Sequence, residues 1–161
     1  MGMRVRISSA ALQRITADAA ASPDMEICGL LFGEDDLIAH AEPCRNVAPE
    51  PSRAFEIDPG RLIAAYRDMR SGGPKLIGCY HSHPLGAPVP SPRDAAAARP
   101  DGWLWVIVAG GGIGVYRAVA GGAIHDRFDA VRHEVLPAGC VDDRASPEGA
   151  QVKHPGGEPS R

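Results

Sequence analysis

Hydrophobic positions along the chain follow two different periods, and these predict helices alternating with strands. In residues 8–21 apolar side chains recur every three to four positions, which is typical of an amphipathic helix. Either Ser8 or Ser9 can cap its start. Residues 26–33 are a short apolar run that ends in glycine, and residues 37–43 follow it after an acidic turn. We therefore expect a helix and then two antiparallel buried strands.

The middle of the chain predicts a second helix between two further strands. Residues 43–54 contain three prolines and no period, so they indicate a loop, and residues 55–58 indicate a short strand. Asp58 followed by Pro59 is typical of a helix start. The buried face of this helix is expected at Leu62, Ile63, Tyr66 and Met69. Residues 75–83 then predict a strong strand.

The last part of the chain predicts the end of the domain and then a tail. Residues 91–99 indicate a short helix. The closing strands are expected at 103–110, 113–119 and 123–135, with Trp103 and Trp105 packed in the core. Residues 137–161 contain four prolines, four glycines and two large aliphatic residues, too few to bury much apolar surface. We expect one mixed sheet with helices on its faces over residues 1–136, followed by a flexible tail.

Composition and charge narrow the function classes. With 161 residues the chain suits a single domain. A net charge of −3 and only 5% aromatic residues leave no basic field and few stacking platforms for nucleic acid. No apolar run reaches the roughly 20 residues of a membrane helix, and the first residues lack the apolar core of a secretion signal. The four cysteines form no C-x-x-C pair and indicate free thiols, as in cytoplasmic proteins. From these observations together we expect a cytoplasmic protein that binds neither nucleic acid nor membrane.

A metal site is predicted where the strand at 75–83 ends. His81 and His83 are two residues apart, so on a strand they project to the same side, where two imidazoles can bind one small ion. Asp94 lies eleven residues beyond His83, and the stiff, proline-rich segment between them can turn the chain back over the strand end. Ser91 is expected to cap the next helix, with Asp94 in its first turn. Two histidines and one carboxylate leave the fourth position of a tetrahedral zinc site open, as in catalytic sites.

Glu26 is the candidate proton acceptor. It starts an apolar strand in which a carboxylate is out of keeping with its neighbours, and a glutamate beside the metal can accept a proton and pass it on to a leaving amine. Ser91 is a candidate donor to the oxyanion of a tetrahedral intermediate. Each residue also has a plainer interpretation. An isolated H-x-H is a weak signal, Ser91 and Asp94 can be a helix cap with a dipole-favoured acid, and Glu26 can be an exposed strand start.

The conjunction of these residues is more specific than its parts. An upstream glutamate, then H-x-H-P at residues 81–84 and S-x-x-D at residues 91–94, is the motif by which the sequence resembles the JAMM (MPN-plus) zinc metalloprotease family. The resemblance extends from about Val5 to Val135. It implies an α/β fold of the three-layer JAB1/MPN, cytidine-deaminase-like type, with a mixed β-sheet flanked by helices. It also implies one Zn²⁺ per chain bound by His81, His83 and Asp94, with Glu26 as general acid/base and Ser91 supporting the oxyanion.

Within that family the chain is similar to the small stand-alone bacterial branch. The segment from Asp94 to Trp103 is short, whereas deubiquitinating members carry a long insertion there. The branch is associated with ubiquitin-like sulfur-carrier proteins. The resemblance therefore implies a zinc metallopeptidase that hydrolyses a peptide or amide bond at the Gly-Gly tail of such a partner. The proline-rich loops at 43–54 and 84–92 are the expected walls of the cleft.

Two other functions stay open: a deubiquitinase-like isopeptidase, and a non-catalytic MPN-type protein-interaction module. Inactive members of the fold lack metal ligands, whereas this chain has the full set, which favours the enzyme. A deaminase would need an H-x-E motif together with P-C-x-x-C, and this combination is not present. Whether the chain forms a homodimer is not decided by the sequence.

The remaining cysteines and histidines carry plainer expectations. Cys28 shares strand parity with Glu26, and Cys79 shares it with the histidine pair, so both thiols are expected beneath the metal site as small buried residues. Cys79 as a fourth metal ligand is the alternative. The other histidines have no partner at metal-site spacing and are expected to be surface or structural residues: His40, His125, His133 and His154.

Overall fold

The computed structural model describes residues 4–139. Over this range the chain forms eight strands and three helices. In chain order these are β1 (Arg4–Ser8), α1 (Ser9–Ala21), β2 (Cys28–Glu34), β3 (Leu37–Cys44), α2 (Pro59–Arg70), β4 (Leu76–Ser82), α3 (Pro92–Ala97), β5 (Leu104–Ala109), β6 (Gly112–Ala118), β7 (Phe128–Ala130) and β8 (Arg132–Leu136).

All eight strands belong to one mixed sheet in the order β7-β6-β5-β4-β2-β3-β1-β8. β1 runs parallel to β3 and β8, and β4 runs parallel to β5, while the other neighbouring pairs are antiparallel. The two edge strands β7 and β8 are consecutive in the chain and separated only by Val131. The sheet therefore curls until its two edges approach each other.

Helices cover both faces of the sheet, which confirms the predicted α/β class. α1 packs on the inner face, where its Ile15 is fully buried and the helix contacts β1, β3, β4, β5 and β8. α2 and α3 pack on the outer face around two further clusters of buried side chains. Trp103 and Trp105 belong to that outer core, as predicted. The layers leave the end of β4 between α1 and α3, where the candidate histidines lie.

A buried tyrosine joins β4 to α1 immediately before those histidines. The ring of Tyr80 lies over Gly29 of the neighbouring strand, where a Cβ atom would come within 2.3 Å of it. Its hydroxyl donates a hydrogen bond to Asp18 of α1. Only glycine leaves room for the ring at position 29, so β2, β4 and α1 meet at a close contact.

The helix starts follow the predicted caps. The hydroxyl of Ser8 accepts a hydrogen bond at the start of α1, and the carboxylate of Asp58 does the same for α2. The expected buried face of α2 is wrong at one position, because Ile63 is 57% exposed. Ile63 lies about 100° around the helix from the preceding residue. The side chains that pack on the sheet follow the i, i+4, i+7 spacing: Leu62, Tyr66 and Met69.

Two predicted strands differ from the structure, and one strand was not predicted. Residues 55–58 form only a single bridge, between Asn46 and Ile57, because the chain turns directly into α2. The segment 123–135 divides into β7 and β8, which pair with opposite edges of the sheet. β1 was not predicted, although the alternation of two arginines with buried valine and isoleucine has the period of a strand.

The predicted tail at 137–161 lies almost entirely outside the described residues, as do Cys140 and His154. None of the helices between residues 4 and 139 has the length and apolar character needed to cross a membrane.

Candidate active site

The two histidines converge at the carboxyl end of β4. His81 lies in the strand and is fully buried, and His83 follows the last strand residue. Their Nε2 atoms are 3.0 Å apart. The Nδ1 atom of His83 lies 3.0 Å from the Ala87 carbonyl, so it carries the proton and leaves Nε2 free to act as a ligand. The same-side geometry predicted from the H-x-H spacing is therefore present.

Asp94 reaches both imidazoles from the first turn of α3. Its Oδ1 is 3.1 Å from Nε2 of His81, and its Oδ2 is 3.1 Å from Nε2 of His83. A capping box with Ser91 holds the aspartate: the Ser91 N–H donates to Oδ2 at 2.9 Å, and the Asp94 N–H donates to the Ser91 hydroxyl oxygen at 3.1 Å. The proline-rich loop thus returns the chain over the strand end, as predicted.

Glu26 lies next to the histidines but not in a strand. β2 begins at Cys28 and not at Glu26, which corrects the predicted strand start. Cys28 pairs with His81 across the antiparallel strands, so extending that register by two residues brings Glu26 opposite His83. Ligand atoms of Glu26, His81 and His83 all lie within 4.8 Å of one another. Glu26 is only 8% exposed, so its plainer interpretation as an exposed strand start is wrong.

Burial and mutual contacts shift the pKa values of these groups. Burial raises the pKa of Glu26 from its ordinary 4.5 to about 7, against a lowering by His83 and with a further rise from Asp94. Burial alone would raise the pKa of Asp94, but hydrogen bonds from both histidines hold it well below its usual range. Burial lowers the pKa of His81. The hydrogen bond to Asp94 raises the pKa of His83.

The donor set fits a small tetrahedral cation. Neighbouring ligand atoms around zinc are about 3.3 Å apart when metal–ligand bonds are about 2.0–2.1 Å, close to the 3.0–3.1 Å separations among His81, His83 and Asp94. Within the described residues, Oε2 of Glu26 is buried without a hydrogen-bond partner. A buried acceptor facing two imidazoles is costly unless a cation or a polar molecule lies between them.

Aromatic packing around His81 was not predicted from the sequence. The ring of Phe55 stacks on the His81 imidazole, and Trp105 meets both rings edge-on. Phe55 belongs to the stretch 55–58, which was predicted as a short strand. Its role depends on a contact between residues far apart in sequence, and no local signal marks it.

The proline-rich loop before α3 is held by side chains from elsewhere in the fold. The Tyr116 hydroxyl donates to the Pro88 carbonyl at 2.6 Å, and Nε2 of His125 lies 3.1 Å from the Pro90 carbonyl. With the bond from His83 to Ala87, three carbonyls of this loop accept side-chain hydrogen bonds. His125 is thus a structural histidine, as expected.

The cysteines near the site are buried thiols. Cys28, Cys44 and Cys79 are all free. Burial raises the pKa of Cys28 and raises that of Cys79 well above its usual value. The alternative of Cys79 as a fourth metal ligand is disfavoured by the geometry of the site. Neither thiol belongs to the group of convergent ligand atoms found among residues 4–139.

Comparison with known proteins bears on this arrangement. A family model described as prokaryotic homologs of the JAB domain matches residues 8–120, well over half of the chain. The chain is 40% identical over 91 residues to a desampylase from Haloferax volcanii, covering 55% of this chain and 66% of that protein. It is 33% identical over 98 residues to a probable TtuB-protein conjugate cleaving protease from Thermus thermophilus, covering 61% of this chain and 66% of that protein. The matched region spans just under two thirds of each relative.

A solved structure supports the fold assignment. A JAB1/MPN domain protein from Archaeoglobus fulgidus superimposes with a TM-score of 0.54 at 22% identity, over 84% of this chain and 100% of that chain. The likeness agrees with the JAB1/MPN type of α/β fold expected from the sequence motif.

Proposed function

The chain belongs to the family of prokaryotic homologs of the JAB domain, and we propose that it is a zinc-dependent metallopeptidase that cuts at the C-terminal tail of a small ubiquitin-like protein. The observation that carries this proposal is the convergence of His81, His83 and Asp94 beside the buried carboxyl group of Glu26. Three ligands with one acid/base group beside them suit hydrolysis better than structural metal binding.

In this proposal His81, His83 and Asp94 bind one zinc ion per chain. When bound, the ion supplies Lewis acidity to the scissile carbonyl and to a water molecule. Burial disfavours the cationic form of His81, and the contact of His83 Nδ1 with the Ala87 carbonyl turns the Nε2 atom of His83 towards the site. The capping box with Ser91 fixes the carboxylate of Asp94 before any metal arrives.

Glu26 and Ser91 carry the proton transfer and the charge stabilisation. Glu26 accepts the proton of the attacking water and passes it to the leaving amine, a role that suits a carboxyl group whose pKa burial raises towards neutrality. Ser91 uses its hydroxyl oxygen to accept from Asp94 N–H. The hydroxyl proton remains available, so the same residue can cap α3 and donate to the developing oxyanion.

The substrate assignment rests on the two named relatives and on the shape of the site. One is a desampylase and the other a protease named for cleaving TtuB–protein conjugates. A cavity of about 200 Å³ is lined by six residues: Pro23, Asp24, Ser52, Arg53, Pro84 and Leu85. The last four belong to the two loops expected to form the cleft walls, and the first two follow α1. A tail that must approach the site between these loops is least obstructed when it has no bulky side chains, as in Gly-Gly.

The bond that is cut has two candidates. A conjugate is a protein joined to another protein, so the name of the Thermus thermophilus relative favours an amide bond between the Gly-Gly terminus and a lysine of a second protein. A linear extension of the carrier tail is the other candidate. The non-catalytic interaction module is disfavoured because an inert module has no need of a buried carboxyl group beside the ligands. The free thiols support our expectation of a reducing, cytoplasmic compartment.

The test is a mass-spectrometric assay of the zinc-loaded protein. Its substrates are a sulfur-carrier protein with extra C-terminal residues, the same carrier linked through Gly-Gly to a lysine peptide, and ubiquitin chains. Carriers with Gly-Gly changed to Ala-Ala, and the Glu26→Gln enzyme, are the controls. Cleavage directly after Gly-Gly that fails in both controls supports the proposal. Equal cleavage of Gly-Gly and Ala-Ala carriers, or cleavage of ubiquitin chains alone, overturns the substrate assignment.

A further inference from the structure

The sheet does not hold Glu26. The residue lies two positions before β2, so no bond of the strand ladder fixes its backbone. Its N–H instead donates to the Pro51 carbonyl at 2.8 Å. Its carbonyl accepts from Nδ2 of Asn46 at 2.9 Å. Both backbone groups of the candidate acid/base residue are therefore bound by the loop between β3 and α2.

Asn46 is the centre of that loop, and its side-chain amide makes four hydrogen bonds. Nδ2 donates to the carbonyls of Glu26 and Ala54 at 2.9 and 3.0 Å. Oδ1 accepts from the N–H groups of Ala48 and Glu56, both at 3.0 Å. Two donors meet two carbonyls and one oxygen meets two N–H groups, so every bonding position of the amide is used and only one orientation of it fits.

Ser82 holds the residues on either side of Glu26. Its hydroxyl oxygen accepts from Ile27 N–H at 2.9 Å, and its own N–H donates to the Ile27 carbonyl at 3.1 Å. The Met25 carbonyl lies 3.5 Å from the same hydroxyl. Because Ser82 stands between the two candidate histidine ligands, it ties the segment around Glu26 to β4. The segment then needs a second anchor on its other side, and Asn46 provides it.

We propose that Asn46 is a positioning residue for Glu26, and this inference rests on the proposed function only where it concerns catalysis. The side-chain hydrogen bonds of Asn46 go to backbone groups and to none of His81, His83 and Asp94, so it acts through the Glu26 backbone and through the loop that carries Pro51. A carboxyl group with an unpartnered, buried oxygen stays where it is only if its backbone is held from several sides. A shift of about 1 Å in such a group can reduce turnover on the order of 100-fold.

Hydrogen exchange tests the positioning role without any substrate. In Asn46→Ala, amides of residues 25–28 should exchange at least about fivefold faster, the effect of losing one hydrogen bond. Exchange in the buried strand β5 should not change. Asn46→Asp keeps both acceptor bonds and loses both donor bonds, so it should show the same local effect if the alanine variant does not fold. Glu56→Ala is the matched control, because it removes only an exposed side chain from the same loop. Unchanged exchange at residues 25–28 in both Asn46 variants overturns the proposal.

A double-mutant cycle with Glu26→Gln tests the link to catalysis. The probe is the carrier protein linked through Gly-Gly to a lysine peptide. Asn46→Ala should lower kcat about 10- to 100-fold with KM unchanged to within about twofold, and zinc content should stay at the wild-type level. In the Glu26→Gln background the same substitution should have almost no further effect. A full additional loss in that background would mean that Asn46 does not act through Glu26. If the wild-type protein cleaves neither this probe nor the other substrates of the mass-spectrometric assay, the proposed function fails. The hydrogen-exchange result then still decides whether Asn46 positions Glu26.

Discussion

Phe55 stacks on His81, with ring centroids 4.2 Å apart and planes inclined by 21°. Trp105 closes the same cluster edge-on, with its ring 5.7 Å from each of the other two. The Nδ1 atom of His81 has no hydrogen-bond partner among the described residues. Metal-binding histidines are usually oriented by a hydrogen bond from the second ring nitrogen. We propose that aromatic packing has that orienting role for His81, a candidate ligand in this protein.

Replacing Phe55 should therefore weaken metal binding. We expect Phe55→Leu to lower zinc affinity on the order of 10-fold, the size of effect seen when groups that orient a ligand are lost. Chelator competition measures it. Tyr66→Leu is the matched control, because Tyr66 stacks on Trp103 at 6.3 Å in the same face of the sheet but does not touch the site. Equal zinc affinities in the two variants would contradict an orienting role for Phe55.

Zinc content should distinguish the proposed ligands from the proposed acid/base residue. Asp94→Ala should lose the expected one equivalent of zinc, because it removes the carboxylate that contacts both imidazoles. Glu26→Gln should keep zinc and fold but lose hydrolysis by a factor on the order of 100 or more. Metal analysis and a turnover assay on the same preparations measure both effects. Full zinc retention in a His81→Ala, His83→Ala double variant would remove the basis of the assignment.

The parts of the site that the sequence predicted are those that local geometry determines. The strand period is enough to bring His81 and His83 to one side. The order Ser-Pro-x-Asp is enough to start α3 at Pro92 and turn Asp94 towards the strand end. Glu26 was recognisable because a carboxylate stands out in an apolar run. In each case the signal lies within a few residues of the group concerned.

The parts that the sequence did not predict depend on contacts between distant residues. Asn46 is one asparagine in a proline-rich loop, and its bond to Glu26 spans twenty residues. Phe55 was assigned to a strand, while its neighbours in space are His81 and Trp105. The pairing of β8 with β1 joins the two ends of the described chain. Neither periodicity nor cap motifs carry information on such contacts, because they report only local conformation.

Stability of the metal-free protein should depend on pH through Glu26. Its pKa is about 7 in the folded chain against an ordinary 4.5, so the folded state binds more protons between these values and stability falls as pH rises through that window. We expect metal-free Glu26→Gln to be more stable than wild type at pH 8 by on the order of 2–3 kcal/mol. The difference should shrink towards pH 5. Denaturant unfolding curves recorded with a chelator at pH 5 and at pH 8 measure this difference in the free energy of unfolding. Glu56→Gln, at an exposed position, is the control. A difference that does not vary with pH would contradict the raised pKa.

Removal of the C-terminal residues should leave the domain intact. β8 ends at Leu136 and pairs along its length with β1, so a chain truncated after Pro137 keeps every strand of the sheet. The residues beyond have few apolar side chains to bury. Melting temperature and zinc content of the truncated chain should match those of the full chain. A fall of several degrees would mean that the tail packs on the domain.

Two substitutions at Ser91 should distinguish its capping role from a role in the reaction. The hydroxyl oxygen of Ser91 accepts from Asp94 N–H at the start of α3, so Ser91→Ala should cost about 1 kcal/mol of stability. Ser91→Gly should cost only a few tenths of a kcal/mol, because glycine is tolerated at this cap position.

Both variants remove the same hydroxyl. If that hydroxyl donates to the oxyanion, kcat should fall by a similar factor, on the order of 100, in both, with zinc content unchanged. Denaturant melts and turnover on one carrier substrate give the two quantities. The contrary result is a kcat that follows stability, so that it is nearly normal in Ser91→Gly and reduced only in Ser91→Ala. This would mean that Ser91 acts through Asp94 as a cap and gives no hydrogen bond to the reacting carbonyl.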